Sequence, residues 1–329
     1  MTSHVGNSNP LFNDDFPLFL APMTGITDLP FRSLVSSFGA GLVVSEMVAC
    51  RNLLSGSAYS RQKIEIGVES NRTAVQLVGR EAYWMAEAAR MAEASGANSI
   101  DINMGCPARK IVSGYSGSAL LQDLNYAESL IHAVVKSVKI PVSLKTRLGW
   151  DYSSLNAVEL AKRAEEAGIA MITIHGRTRC QFFRGQSNWS AIREIKNAVE
   201  IPVVANGDIV DIASARKALE LSSADGLMIG RGARGKPWIL AEIGEKLFKY
   251  PKIRKPPGSK FREMVESHYE TILSFYGNEL GIRVARKHLA WYMDTALTKQ
   301  SIRKAILNSN DPHKVLNLLA EAFNQEAVV

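Results

Sequence analysis

SIDINMGCPARK, residues 99–110, alternates polar and apolar side chains and then runs into Gly105, Cys106 and Pro107, with Arg109 and Lys110 behind. Alternation of this kind predicts a β-strand, and the turn residues predict its end. Seven more stretches have the same form: PLFLAPM (17–23), GLVVSEM (41–47), TAVQLVG (73–79), IPVSLKTR (140–147), AMITIHG (170–176), IPVVANGD (201–208) and ADGLMIGR (224–231). Each is a short run rich in Val, Ile or Leu, bounded by Gly, Pro or a charge. Between them lie helical patterns such as REAYWMAEAARMAEASGA (80–97) and SLNAVELAKRAEEAGI (154–169). Eight strand–helix units within roughly 230–240 residues match a (β/α)8 TIM barrel. A doubly wound open sheet is the competing fold. The barrel is preferred because nearly every strand ends on a polar or functional side chain: Met23, Glu46, Gln76, Asn103, Lys145 with Arg147, His175, Asn206 with Asp208, and Arg231. A barrel gathers such ends onto one face, where the loops build a site; an open sheet scatters them.

The 329-residue chain is 46% hydrophobic, enough for a large domain with a smaller one attached. The pattern changes after RGARGKPWILAEIGEKLF. Lys246 to Lys260 holds six Lys/Arg and no acid, and its YPKIRKPPGSK portion reads as a basic proline-rich linker. FREMVESHYETILSFYG, IRVARKHLAWYMDTAL and HKVLNLLAEAFNQ then have helical spacing. The expected organisation is an extension at 1–15, a barrel at 16–248, a linker at 249–258 and a small all-α C-terminal domain at 259–329. No apolar run is long enough to span a bilayer. The polar, acidic start MTSHVGNSNPLFNDDF has no signal-peptide core, so a cytoplasmic protein is expected. Net charge is +7 with a pI near 9.2, which suits an acidic partner such as nucleic acid.

Cys50, Cys106 and Cys180 are odd in number and far apart, which predicts neither a disulfide framework nor a metal site. Cys106 is the strongest candidate for a reactive thiol. It follows a strand on the predicted active face, Pro107 restricts its backbone, and two cations are near. Cys50 beside Arg51, and Cys180 in an Arg-rich loop, remain alternatives. Lys145 in an apolar strand requires an acidic or electron-rich partner. Gln76 can donate and accept at once, as a heterocycle with imide edges requires. The glycine-containing turns ANGDI and IGRGARG, with Arg231, close the last two strands, where barrels often hold a phosphate.

Together APMTGITDLPFR, VSEM, QLVG, DINMGCPARKIVSGYSGSALL, LKTRLGW, TIHGRTR, VVANGDI and LMIGRGARGKPW resemble the tRNA-dihydrouridine synthases, most closely the bacterial B-type branch. The likeness runs from about Leu18 to Trp238 and more loosely through RKHLAWY. It implies an FMN-bound barrel, reduced by NADPH or NADH, that passes hydride from flavin N5 to C6 of a uridine in tRNA. Cys106 is then the implied proton donor to C5. Pro22, Met23, Thr24, Gln76, Lys145 and His175 match positions around the flavin. Asn206, Gly207, Asp208, Gly230 and Arg231 match those holding its ribityl chain and phosphate, and Asn103 matches a residue near the uracil. Such an acid must remain a thiol, so no strongly depressed pKa is expected. The base must leave its stack to reach the flavin. Arg177 and Arg179 at the mouth, and Arg283, Arg286 and Lys287 on the helical domain, are the expected phosphate contacts. A monomer without metal or membrane attachment is expected. Two other readings are a dihydroorotate dehydrogenase-like barrel acting on a free pyrimidine and a non-catalytic tRNA-binding protein. The basic helical domain argues against the first; intact Cys106, Lys145 and Gln76 argue against the second.

Overall fold

The structure, a computed structural model, describes Leu11 and residues 17–67, 72–252 and 255–323. The expected N-terminal extension, apart from Leu11, and Ile253 and Arg254 of the linker lie outside the described residues. Eight parallel strands form the barrel: β1 (Leu18–Leu20), β2 (Leu42–Val44), β3 (Thr73–Val78), β4 (Ser99–Met104), β5 (Val142–Arg147), β6 (Met171–His175), β7 (Val203–Asn206) and β8 (Gly226–Ile229). Each strand is a little shorter than its sequence pattern because the flanking Gly, Pro and polar positions leave the ladder. Pairing of Phe19 with Met228 joins β1 to β8, and pairing of Val43 with Thr73 joins β2 to β3, so the sheet closes. A two-residue strand, Val48–Ala49, adds to the far end of β3.

Crossover helices cover the outside: α1 (Leu29–Ser37), α2 (Ala82–Ala94), α3 (Leu124–Val135), α4 (Ala157–Glu166), α5 (Ser190–Lys196), α6 (Ile212–Ser222) and α7 (Ile239–Leu247). Between β2 and β3 the single crossover helix is replaced by two short ones, Cys50–Leu54 and Ala58–Lys63. The two-residue period of the strands sorts their side chains. On β4, Ile100, Ile102 and Met104 join the large core beneath the helices, whereas Asp101 and Asn103 alternate with them. Inside the barrel, Phe19, Leu42, Ala74, Met171, Val204 and Met228 form an apolar base with Leu11 packed against it. Above that base the interior becomes polar, and this layer carries the site.

Four helices follow: α8 (Gly258–Tyr276), α9 (Asn278–Thr295), α10 (Gln300–Asn308) and α11 (Pro312–Phe323). The predicted apolar stripe of α8 buries Phe261, Val265, Tyr269 and Ile272 against Ala285, Leu289 and Tyr292 of α9 and Leu319 and Phe323 of α11. α10 falls outside the helical patterns noted in the sequence; its Ile302, Ala305 and Ile306 recur at helical spacing, and only Ile306 of them is buried. The helices dock on the barrel through α1: the Phe31 ring lies 5.1 Å from that of His288, and Tyr276 Oη donates to Asp28 Oδ2 at 3.1 Å. Among the described residues, no helix is long and apolar enough to cross a membrane.

His268 and His288 sit at this junction, with ring centroids 5.0 Å apart and both side chains buried. Burial lowers His268 to about 3. Burial, with the charges of His268, Lys287 and Arg234, also holds His288 well below its ordinary value. An unfolded histidine takes up a proton below about pH 6.5, and the folded pair does so only at much lower pH. Acid therefore favours the unfolded chain, by roughly 1.4 kcal/mol per pH unit for each histidine below that point. The midpoint of thermal unfolding should fall between pH 7 and pH 5, and replacing both histidines by Gln should flatten that fall. An unchanged wild-type midpoint across this range would contradict the burial of two neutral imidazoles.

Candidate active site

The strand ends named from the sequence converge, except Glu46, which does not line the cleft and pairs with Lys63. A cleft of about 520 Å³ opens at the C-terminal ends of the strands. Pro22, Met23, Thr24, Gln76, Asn103, Cys106, Lys145, His175, Asn206, Gly207, Asp208, Gly230 and Arg231 all line it. Thr146, Arg147, Phe183 and Arg234 line it as well. Of these four, sequence reasoning noticed Arg147 as a strand end and assigned it no role.

Cys106 is held from three directions. Asn103 Oδ1 accepts from the backbone N–H of Gly105 at 3.1 Å and of Cys106 at 2.9 Å. Arg147 Nε donates to Gly105 O at 2.7 Å, and Ser118 Oγ donates to Cys106 O at 2.8 Å. Gly117 begins the GSALL stretch with φ of +60°; a Cβ there would lie 3.0 Å from Cys106 O. That stretch therefore needs its glycine for the left-handed turn and for close packing on the cysteine. Burial pushes the Cys106 thiol up, and the Ala108 N–H and the charges of Arg147 and Lys145 only partly oppose this. The group is a thiol at neutral pH. Cys50 is buried and driven up to about 12 by its burial, which makes it an inert packing residue, whereas Cys180 is exposed and does not line the cleft.

Beside it, on the next strands, stand cationic groups. Lys145 Nζ donates to Asn206 Oδ1 at 2.9 Å, and Asn206 Nδ2 donates to Met228 O at 2.7 Å, which fixes the amide. Burial lowers Lys145 to about 8, with Asp101 opposing the shift. His175 is kept neutral by its burial and by Lys145, Arg147, Arg177 and Arg231 around it. Arg177 Nη1 lies 3.3 Å from His175 Nε2. A guanidinium can only donate, so Nε2 accepts and the ring proton sits on Nδ1.

Arg177 corrects the sequence expectation. It is 2% exposed and does not face solvent as a phosphate contact would. Its guanidinium donates to Asp208 Oδ1 at 3.0 Å, Ser187 Oγ at 3.1 Å, Arg184 O at 3.1 Å and Gly185 O at 2.6 Å. Arg147 Nη1 donates to Thr178 O and Phe182 O, each at 2.9 Å. The two arginines thus fasten the loop after β6 by its carbonyls. Burial would raise Asp208, but hydrogen bonds from Arg177 and the Ser187 N–H and the charges of Arg177 and Arg231 outweigh it, leaving the carboxyl below its ordinary range. Gly207 has φ of +110°, and a Cβ there would collide with Ser187 Oγ and the His175 ring.

The other basic residues separate. Arg179 is half-buried between the rings of Trp150 and Phe182, at 4.4 and 5.0 Å. Arg283 is exposed on α9. Arg286 donates to Asn310 Oδ1 at 2.7 Å. Lys287 is half-buried and reaches the loop after β1, its Nζ lying 3.5 Å from where a Gly25 Cβ would stand. At i, i+3 and i+4 the three share one side of α9, but only Arg283 is exposed.

Lys145, Arg147, Arg231 and Arg234 line the cleft, and its one lining carboxylate, Asp208, is already paired to Arg177 and Arg231. Arg234 Nε is buried without a hydrogen-bond partner. Such a cleft fits a group with an anionic end and a ring rich in acceptors. No cluster of three or more metal-ligating side chains occurs among the described residues.

Comparison with known proteins assigns the chain to a family. The family model described as dihydrouridine synthase (Dus) matches residues 19–328. A probable tRNA-dihydrouridine synthase of Rhodobacter capsulatus is 53% identical, over 94% of this chain and 96% of its own. The tRNA-dihydrouridine synthase B of Vibrio cholerae is 41% identical, with coverage of 94% and 96%. In structure, a histamine dehydrogenase from Rhizobium sp. 4-9 superposes with a TM-score of 0.55 at 11% identity, over 77% of this chain and 48% of that one, a likeness of fold alone. A family match over nearly the whole length, with relatives of this identity, means that the chain belongs to the dihydrouridine synthase family.

Proposed function

We propose that the protein is a tRNA-dihydrouridine synthase that reduces the C5=C6 bond of specific uridines in tRNA, with FMN as bound cofactor and NADPH or NADH as reductant. The observation that carries this reading is that a protonated thiol and a cationic cradle line one cleft. When bound, FMN supplies a hydride from N5 to C6 of the uracil. Cys106 gives the Sγ proton to C5, so one hydride and one proton saturate the double bond and the reductant is oxidised. Lys145 holds positive charge where a reduced ring carries negative charge. Pro22, Met23, Thr24, Gln76 and His175, which line the cleft, would hold the flavin ring. Asn206, Gly207, Asp208, Gly230 and Arg231 hold the ribityl chain and phosphate, and Arg234 has a free N–H for the same anion. Asn103 orients the base.

The barrel, 16–248, is the catalytic part, and 259–329, joined through 249–258, is the tRNA-binding part. Arg179 and Arg283 are the first choices for phosphate contacts, with Arg286 and Lys287 adding to the positive field. Arg177 instead shapes the loop that carries Arg179. A tRNA substrate places the work in the cytoplasm, and one chain supplies every group, so a monomer suffices.

Cys106→Ala should bind FMN and accept electrons from NADPH as the wild type does, yet lose at least about 100-fold in dihydrouridine formation, measured by mass spectrometry of digested tRNA. Undiminished product would remove Cys106 as the acid. Affinity for tRNA should fall steeply with salt, and Arg179→Ala and Arg283→Ala should each reduce the slope of log affinity against log salt by about one. A slope unaltered by both variants would place the tRNA on another surface.

A further inference from the structure

Asp101 lies on β4 between Ile100 and Ile102, 1% exposed inside the barrel. It is not in the cleft, and nothing in the chemistry above uses it. Its neighbours form a chain. Ser143 Oγ donates to Asp101 Oδ1 at 2.6 Å, and Gln76 Nε2 donates to Asp101 Oδ2 at 2.6 Å. Asn103 Nδ2 donates to Gln76 Oε1 at 2.8 Å, and Asn103 Oδ1 accepts from the Gly105 and Cys106 N–H groups. The strand register sets these neighbours, since Gln76 pairs with Asp101 and Asp101 with Ser143.

The bonds from the Cys106 backbone through Asn103 and Gln76 all point the same way, towards Asp101, and Ser143 donates to it from the other side. The polarity cannot be reversed. Backbone N–H groups only donate, so Asn103 must turn its oxygen to them and its nitrogen to Gln76. Gln76 must then turn its own nitrogen away, towards a group that accepts. A carboxyl oxygen accepts, and here Asp101 Oδ2 ends the chain. Both lone pairs of Asn103 Oδ1 are used, so the amide has only an N–H left for the cleft. A group offered to it there has to be an acceptor, as a carbonyl of a pyrimidine ring is and an amino group is not.

We propose that Asp101 is a positioning residue for Cys106, acting through Gln76 and Asn103 to fix the orientation of both amides and the backbone of the cysteine loop. The inference rests on the reading of Cys106 as proton donor. Buried polar chains of this kind are costly when one link is left unsatisfied, because each freed N–H or carbonyl loses its only partner. Removing the terminal acceptor frees Gln76 to rotate, then Asn103, then the loop.

The test uses the full chain loaded with FMN. Cys106 is probed with iodoacetamide, followed on its own peptide, and turnover is split into flavin reduction by NADPH and reoxidation by tRNA. Asp101→Ala should change the rate and pH profile of Cys106 alkylation and slow reoxidation by tRNA about 100-fold, the size of effect a displacement near 1 Å produces, while flavin reduction changes little. Asp101→Asn keeps an oxygen facing Gln76 and should restore most of both. Gln76→Glu is the second arm, nearly isosteric. Its carboxylate faces that of Asp101, so the pair must share a proton, and Cys106 alkylation should depart from wild type as pH rises and that proton is lost. Adding Asp101→Asn offers an N–H to Glu at that position and should return the profile towards wild type. Wild-type alkylation in Asp101→Ala, or no recovery in the double variant, would overturn the inference. A wild-type protein that makes no dihydrouridine would overturn the proposed function instead, and the alkylation results would still decide the role of Asp101.

Discussion

The pairing of Phe19 with Met228 joins the first strand to the last, and the site depends on it. Closing a parallel sheet brings the carboxyl ends of all its strands to one rim. It also creates an interior that cannot be solvated from below, because Phe19, Leu42, Met171 and their neighbours plug the base. Polar side chains above that plug must therefore satisfy one another. Gln76, Asp101, Ser143, Asn103, Lys145 and Asn206 do so across β3, β4, β5 and β7: register sets Asp101 between Gln76 and Ser143, and Lys145 reaches past β6 to Asn206.

Two buried arginines extend the same logic to the loops. A guanidinium cannot discard its proton at any relevant pH, so burial obliges it to collect acceptors. Arg147 and Arg177 collect backbone carbonyls of the loop after β6, and Arg177 also collects Asp208. The result is a rim whose geometry is set before any ligand arrives. Positive charge remains on Lys145, Arg231 and Arg234, facing the cleft.

Fold and site were unequally legible in the sequence. All eight strands could be placed because their apolar runs are bounded by Gly, Pro or charge, signals that act locally. The polar strand ends could be gathered into one site because barrel topology dictates where they meet. Arg177 was misread because an arginine's sequence neighbours do not show whether it faces solvent or a carboxylate such as Asp208, 31 residues away. Asp101 was missed for the same reason: its partners Gln76 and Ser143 lie 25 and 42 residues distant, and only the closed sheet makes them adjacent. An acid between two isoleucines was the available clue, since a buried carboxylate implies a partner set. α10 was overlooked although Ile302, Ala305 and Ile306 recur at helical spacing.

On the proposed function, one cleft transfers a hydride to a tRNA uridine while Cys106 supplies the proton. Its most direct measurement is a single turnover. The purified flavoprotein is reduced without oxygen and then mixed with tRNA lacking dihydrouridine. The oxidised flavin band should return as dihydrouridine forms, one per flavin. A band that stays bleached with tRNA, yet returns when oxygen is admitted, would contradict it.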